Sequence, residues 1–432
     1  MNSIIVGFGR VIYSIVIFLL TVYCSRFFSI DFYINFREFI LYFLMGINIS
    51  AIPATNSIYF FRNRDYRNLS HIYFFSFMFQ SISFLLLFIF SRSFIIPFSF
   101  IVSTGSIFFL VLESISLSRR NPFISLILNF FESLSYFIPV VLVKIFKMNE
   151  YYFFYYLIFL TFIKIIFYYI VAVILNKGKK NYDFKEMVKF TTPLYLTGIL
   201  GSISKQIDKF IVSLFYYGKS FADYSTGTFE IPLIARFFSG VFHERADIIK
   251  EMIEKDEKIS LKENFFKLLK YSFMVLGIIT ILFFINAKDI MGFLFSKTYE
   301  NSYKYFMVYL TVLPLRNIPF GFLLSLKGNT FKLFFISSFD SFLTLFLSLF
   351  FAKVFNTFFV SFSFVIATVV SVFITIYFIR DIFPSEKFIK RYILVLSFLA
   401  ISIAFINRFD HILLTFVLIV GYILSDIIFF WR

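Results

Sequence analysis

The chain has 432 residues, of which 60% are apolar and 15% charged, with a formal net charge of +16 and a mean hydropathy of +0.86. A soluble domain carries roughly 45–50% apolar and about 25% charged residues, so an ordinary cytosolic enzyme, a secreted disulfide scaffold and a nucleic-acid reader are excluded. The basic residues are strung between apolar runs, the single Cys24 closes no internal disulfide, and His71, His243 and His411 lie too far apart for a metal-ligand spacing. What remains is an integral membrane protein.

Crossing a hydrocarbon core of ~30 Å takes about 20 helical residues, with every backbone polar group satisfied inside the segment. Apolar runs of that length fall at 4–27, 36–60, 70–91, 94–118, 122–146, 152–175, 190–216, 222–242, 264–286, 303–326, 330–353, 358–379, 389–406 and 411–430. The expected architecture is therefore all-α and polytopic, with about 14 transmembrane helices. The alternating segments of a membrane β-barrel are absent from the sequence. Met1–Arg10 lacks the early positive cluster of a signal peptide, so the first run is expected to be a retained helix.

With the N-terminus inside, the inner loops hold 24 Lys and Arg residues and the outer loops 11. The inner set includes Arg62, Arg64 and Arg67, Lys177 to Lys189, and the group from Arg245 to Lys270. This bias puts both termini in the cytoplasm for an even number of spans. The longest inner loop, 243–263, has the charge pattern of an exposed helix, with Glu251 and Glu254 four residues before Lys255 and Lys258.

The polar, basic linker 176–189 follows the sixth span. It suggests lobes of six spans at 1–180 and 181–384, then a pair of helices at 385–432. A basic inner loop follows the second span of each half at a similar offset. Six is even, so such halves share one orientation and are related by an axis along the membrane normal.

At the start of the second half, Thr192-Pro193-Leu194-Tyr195-Leu196 opens the seventh span and Lys205-Gln206-Ile207-Asp208-Lys209-Phe210-Ile211-Val212 continues it. Ala222-Asp223-Tyr224-Ser225 and Glu230-Ile231-Pro232-Leu233 follow in the eighth. This Pro-led helix with its Asp-Lys pair, short loop and Tyr-led helix resembles the polysaccharide (O-antigen type) flippases of the multidrug/oligosaccharidyl-lipid/polysaccharide exporter superfamily. Leu294-Phe295 with Tyr299 resembles the family's Phe-Gly and Tyr pattern, with Ser296 in place of the glycine; Ile30-Asp31-Phe32-Tyr33 departs from its first hairpin.

The resemblance implies a transporter that moves an undecaprenyl-diphosphate-linked oligosaccharide across the bacterial cytoplasmic membrane by alternating access. It implies two six-helix lobes around a central cavity, plus two C-terminal helices. The partners implied are the lipid-linked oligosaccharide, membrane lipid and the polysaccharide polymerase machinery of O-antigen and lipopolysaccharide biosynthesis, with no nucleic acid. A monomer without a cofactor is expected, coupled to H+ or Na+.

The charges inside the expected spans give a separate argument. A charge at mid-bilayer costs at least about 2.5–3.5 kcal/mol, so such groups face protein or a watery cavity. The spans hold Arg10, Glu113, Glu132, Lys164, Lys205, Asp208, Lys209, Glu230, Arg236, Arg316, Asp340 and Asp426. Facing lipid, all of them together would cost about 36 kcal/mol at ~3 each, beyond a typical stability of about 5–15 kcal/mol.

Arg10, Lys164, Lys205, Lys209, Arg236 and Arg316 are the candidate ligands for a diphosphate, Arg236 and Arg316 through planar, bidentate contacts. Arg316 lies between Pro314 and Pro319, where a kink frees carbonyls and admits water. Asp208, Glu230, Asp340 and Glu132 are the candidates for ion coupling. Each has a structural alternative. Lys164 pairs with Glu132, Lys205, Asp208 and Lys209 form a local ion cluster, and the arginines pair with Glu230 or Asp340. Arg10, Glu113 and Asp426 lie within about two turns of the inner surface and can snorkel to it.

A drug/cation antiporter of the same superfamily would favour a net acidic cavity. A lipid II-type flippase suits the same span number. A membrane-embedded polymerase or glycosyltransferase needs sizeable catalytic loops. The outer loops are short, and no carboxylate pair, activated nucleophile, Gly-rich phosphate loop or metal cluster stands out, so a non-enzyme is expected.

Overall fold

A computed structural model describes residues 2–51, 69–91, 93–118, 122–175, 196, 200–201, 204–229, 231, 249, 251–253, 255–318, 320, 324, 330–381, 383–405 and 411–430. Every regular element among them is helical. Among the described residues, seven helices are long and apolar enough to cross a membrane: Ile72–Ser91, Ile95–Leu117, Phe123–Ile145, Tyr152–Leu175, Lys258–Ile285, Phe331–Val354 and Thr357–Ile379. Val11–Phe27 and Leu414–Asp426 are shorter apolar helices. The chain is a nearly all-helical, multi-pass membrane protein. The remaining expected spans fall on shorter, more polar or partly undescribed segments.

The chain forms two compact units, Met1–Ala222 and Asp223–Arg432. The expected lobe boundary at 180/181 lies outside the described residues.

The N-terminal unit contains α1 (Asn2–Phe27), α2 (Ile30–Gly46), α3 (Leu69–Ser91), α4 (Ile95–Ser118), α5 (Pro122–Ile145), α6 (Tyr152–Leu175) and α7 (204–215). α1 lies along α5, and α4 packs against α2, α3, α5 and α6. Small residues permit these approaches, because in lipid the helices associate by packing rather than by hydrophobic exclusion. A Cβ on Gly46 would stand 2.6 Å from the Ser103 hydroxyl, and one on Gly105 would stand 2.6 Å from Thr161.

Phe32, Phe36, Phe39 and Phe43 recur along one face of α2 at helical spacing and are buried. The Phe32 and Phe36 rings meet Phe153, Phe39 meets Phe154, and Phe43 meets Tyr136. At the end where α1 turns into α2, the Ser29 backbone N–H donates to both oxygens of Glu150 at 3.0 Å. Lys144 closes the same end by donating to the Phe27 carbonyl at 2.6 Å. The last turn of α2 widens into a π-helix at Ile47–Ala51, where the Ser50 hydroxyl donates back to the Gly46 carbonyl at 2.7 Å.

α8 (Lys219–Gly227) leads into the C-terminal unit. That unit continues with α9 (Lys258–Ile285), α10 (Ala287–Phe295), a 3-10 turn (Lys297–Ser302) and α11 (Tyr303–Leu310). α12 (Thr330–Val354), α13 (Thr357–Ile379), α14 (Ser385–Phe405) and α15 (His411–Phe430) complete it. α12 pairs with α13, while α9 packs against both α14 and α15. Phe331, Phe335, Phe342, Phe346 and Phe350 form an exposed stripe on α12. A stripe of this kind suits acyl chains, and it accounts for part of the 74 phenylalanines.

The exposed helix expected over 243–263 is interrupted. Asp256 adopts a φ of 55°, a conformation Asp tolerates because its short side chain bonds locally. The Glu251–Lys255 pair forms at 2.7 Å, and that hydrogen bond holds the Glu251 carboxyl below its usual range. Lys258 pairs with Asp256 at 3.3 Å, two residues on from the partner its spacing suggested.

Ser296 has φ 77° and ψ 160°, a region that essentially only glycine occupies without strain. This is the position at which the resembled family carries glycine. Ser296→Gly is therefore expected to stabilise the protein by about 1 kcal/mol, net of glycine's greater unfolded-state freedom. A rise in the thermal unfolding midpoint of the purified protein checks this.

Candidate functional site: charges held inside each unit

In the N-terminal unit, one face of α5 carries Ser125, Asn129, Glu132, Ser133 and Tyr136, all buried. Buried polar groups need partners, and the neighbouring helices supply them. Lys164 of α6 places its ammonium 3.1 Å from each oxygen of Glu132 and donates to the Ser135 hydroxyl at 2.8 Å. Tyr136 donates to one Glu132 oxygen at 3.1 Å and Tyr168 to the other at 3.0 Å. All three ammonium protons of Lys164 are thus engaged. Two of the residues singled out from sequence, one as a diphosphate ligand and one for coupling, stand together as a saturated ion pair.

One to two turns earlier on α5, the Ser125 hydroxyl and Asn129 amide donate to one oxygen of Glu113 of α4 at 2.8 and 2.9 Å. Glu113 is only 1% exposed. The expectation that it snorkels to the inner surface is corrected: hydrogen bonds from α5 replace hydration and hold the carboxyl inside the protein.

α7 shows the opposite pattern along one short helix. Asp208 and Lys209 are buried, whereas Lys205 is exposed. Lys209 donates to the Gln206 side chain at 3.4 Å. The face expected from the spacing of Gly201, Lys205, Asp208 and Val212 is divided, with Asp208 and Val212 buried and Lys205 exposed. The helix packs on α2 through the Phe210 and Tyr42 rings, 6.5 Å apart. Also on α2, Glu38 accepts from the Ser93 hydroxyl at 2.8 Å, and both Arg37 and Glu38 are buried. Hydropathy alone gave these two no weight, since they sit near the start of their run.

In the C-terminal unit the span expected at 303–326 is broken. α11 ends at Leu310, Thr311 and Val312 form a turn, and a single helical turn, Leu313–Arg316, restarts with Pro314 near its beginning. Tyr392 of α14 donates to the freed Thr311 carbonyl at 3.2 Å. Irregular backbone at membrane depth is tolerated only where protein or a watery cavity satisfies it. Arg316 sits directly after this break, half-buried, with its guanidinium carbon 4.4 Å from the Phe364 ring centre. Asp340 of α12 is also half-buried and accepts from the Ser371 hydroxyl of α13 at 2.7 Å.

A further pair went unpredicted. Arg391 of α14 and Asp426 of α15 lie 3.4 Å apart, each with a side chain 1% exposed. The expected run 389–406 begins just before Arg391, which the sequence counts among the inner-loop cations, and Asp426 is expected within about two turns of the inner surface. The structure corrects both, because the two helices cross α9 and close over the charges. The side chain of Arg10, together with Glu230 and Arg236, lies outside the described residues. Among the described residues no group of His, Cys, Asp and Glu is arranged to hold a metal ion.

No family model and no curated protein matches the chain. Solved structures do. The chain is similar to the lipid II flippase MurJ in an inward closed conformation, with a TM-score of 0.71 and 16% identity over 100% of this chain and 99% of that one. It is also similar to an inward-facing multidrug resistance MATE family transporter of the MOP superfamily, with a TM-score of 0.63 and 11% identity over 89% of this chain and 95% of that one. A MOP superfamily transporter from Pyrococcus furiosus matches with a TM-score of 0.56 and 12% identity over 92% and 95%. At these identities the likeness establishes a shared fold and nothing finer.

Proposed function

We propose that the chain is a flippase carrying an undecaprenyl-diphosphate-linked oligosaccharide from the inner to the outer leaflet of a bacterial cytoplasmic membrane by alternating access. The observation that supports this reading most is the end-to-end match to a lipid II flippase fold, covering 100% of this chain and 99% of the other. The MATE and Pyrococcus structures cover 89 to 92% of this chain, which favours the lipid-flippase branch over a drug/cation antiporter. The six basic side chains expected within the spans are suited to an anionic head group. A lipid II-type cargo is the second reading, favoured by the same match.

In this reading both termini face the cytoplasm. Arg316 is the leading head-group ligand, because it is half-buried beside broken backbone and its planar fork suits phosphate oxygens. Lys205, Lys209, Arg10 and Arg236 are the other cationic candidates. Asp208, Glu230 and Asp340 are the candidates for H+ or Na+ coupling. The protein works as a monomer alongside the polymerase machinery, without cofactor or catalysis.

The experiment uses cells that lack the corresponding exporter. Lipid-linked sugar that accumulates on the cytoplasmic leaflet is cleared when this protein is supplied. Purified protein that forms or cleaves glycosidic bonds, and moves no lipid, would overturn the proposal.

A further inference from the structure

The ammonium of Lys164 sits in a cradle that suits any small monovalent cation. Two Glu132 oxygens stand 3.1 Å away, the Ser135 hydroxyl 2.8 Å, and the Tyr136 ring centre 4.7 Å. Carboxylate and hydroxyl oxygens are the ligands that hard cations take, and an aromatic face adds attraction for any cation set over it. Glu132 is 0% exposed. A carboxylate so placed must be neutralised by a proton, a bound ion or a fixed counter-charge. Here the counter-charge comes from α6, the helix beside the one that carries Glu132, and cannot diffuse away.

We propose that Lys164 is a built-in cation: its ammonium permanently occupies the monovalent-cation site formed by Glu132, Ser135 and the Tyr136 face. The N-terminal cluster then exchanges neither Na+ nor H+ during the working cycle. Coupling to an ion falls to carboxylates elsewhere, such as Asp340 in the C-terminal unit. This goes beyond the flippase reading and does not depend on the cargo.

The test is thermal unfolding of the purified full-length protein in NaCl, KCl, methylammonium chloride or N-methylglucamine chloride at equal ionic strength. Lys164→Ala removes the ammonium and leaves the carboxylate in an emptied cradle. Its unfolding midpoint in N-methylglucamine is expected to fall below that of the unmodified protein and to recover by several degrees in a small cation. The double variant Lys164→Met with Glu132→Gln removes both charges at similar volume. It is expected to fold and to respond to Na+ as the unmodified protein does.

Three results would overturn the proposal. One is a Lys164→Ala variant that no small cation stabilises over N-methylglucamine, or that is recovered folded in none of the four salts. Another is a Na+ response of the unmodified protein that the double variant loses. The third is failure of the double variant to reach the membrane, because a neutral pair of similar shape replaces a lysine whose task is to neutralise Glu132. Export activity is not read in any of these, so a failed flippase assay leaves this test standing.

Discussion

Truncation of Arg316 to alanine is expected to lower export roughly 10- to 100-fold while the protein stays in the membrane at its normal abundance. Two features of the structure lead there. The guanidinium is half-buried at a point where the span is already broken, so the site is built around irregular backbone rather than a continuous helix. The guanidinium also lies over Phe364, whose own ring stacks on Tyr309 at 4.7 Å, so its plane is held by packing. A hydrogen bond to a charged group contributes about 1.5–3 kcal/mol, and each 1.4 kcal/mol is about tenfold, which sets the expected loss. The stacking on Phe364 accounts for only about 0.5–2 kcal/mol of stability. Lysine is expected to rescue poorly, because it supplies the charge without the planar fork or the ring stacking. Export is measured against quantified membrane protein. A fall in abundance equal to the fall in export would mean that Arg316 only holds its unit together.

Length and hydropathy made most of the helices readable. The runs at 70–91, 94–118, 122–146, 152–175, 330–353 and 358–379 match α3, α4, α5, α6, α12 and α13 to within a few residues, because a lipid-facing helix must be apolar along its whole length. The break at Thr311–Val312 was legible only as a proline near Arg316, since nothing in the sequence says that Tyr392, 81 residues away, satisfies the freed carbonyl.

Buried charge was the least legible feature. Glu113 and Asp426 looked like interfacial groups because their distance from a helix end is visible in sequence, whereas the helix that covers them is not. Glu132 and Lys164 differ from these in that each lay near the middle of its run. Depth alone required a partner for each, and the neighbouring span supplied it. For α7 the spacing of Gly201, Lys205, Asp208 and Val212 suggested one shared face, whereas the structure encloses Asp208 and leaves Lys205 exposed, a division that packing on α2 decides and spacing does not show.

The ion pair between Arg391 and Asp426 carries the largest stability prediction. Its guanidinium lies over the Phe266 ring of α9 at 5.4 Å, and Asp426 follows one turn after Tyr422, which donates to the Phe273 carbonyl of α9 at 2.9 Å. A side chain at Gly277 of α9 would collide with the Tyr422 ring, so α15 lies close against α9 at this level. Removing one partner leaves an uncompensated charge where water does not reach. Arg391→Met and Asp426→Asn are each expected to cost about 3–5 kcal/mol, seen as a lower unfolding midpoint and lower membrane abundance. The double variant is expected to recover most of that loss, because two neutral groups of similar volume need no mutual compensation. A thermodynamic cycle over the four proteins measures the coupling directly. Losses that simply add would mean that the two charges are each satisfied by other groups. A recovered double variant should also export at the normal rate, since the pair joins α14 to α15 and lies on helices that support the fold rather than on the broken span that carries Arg316.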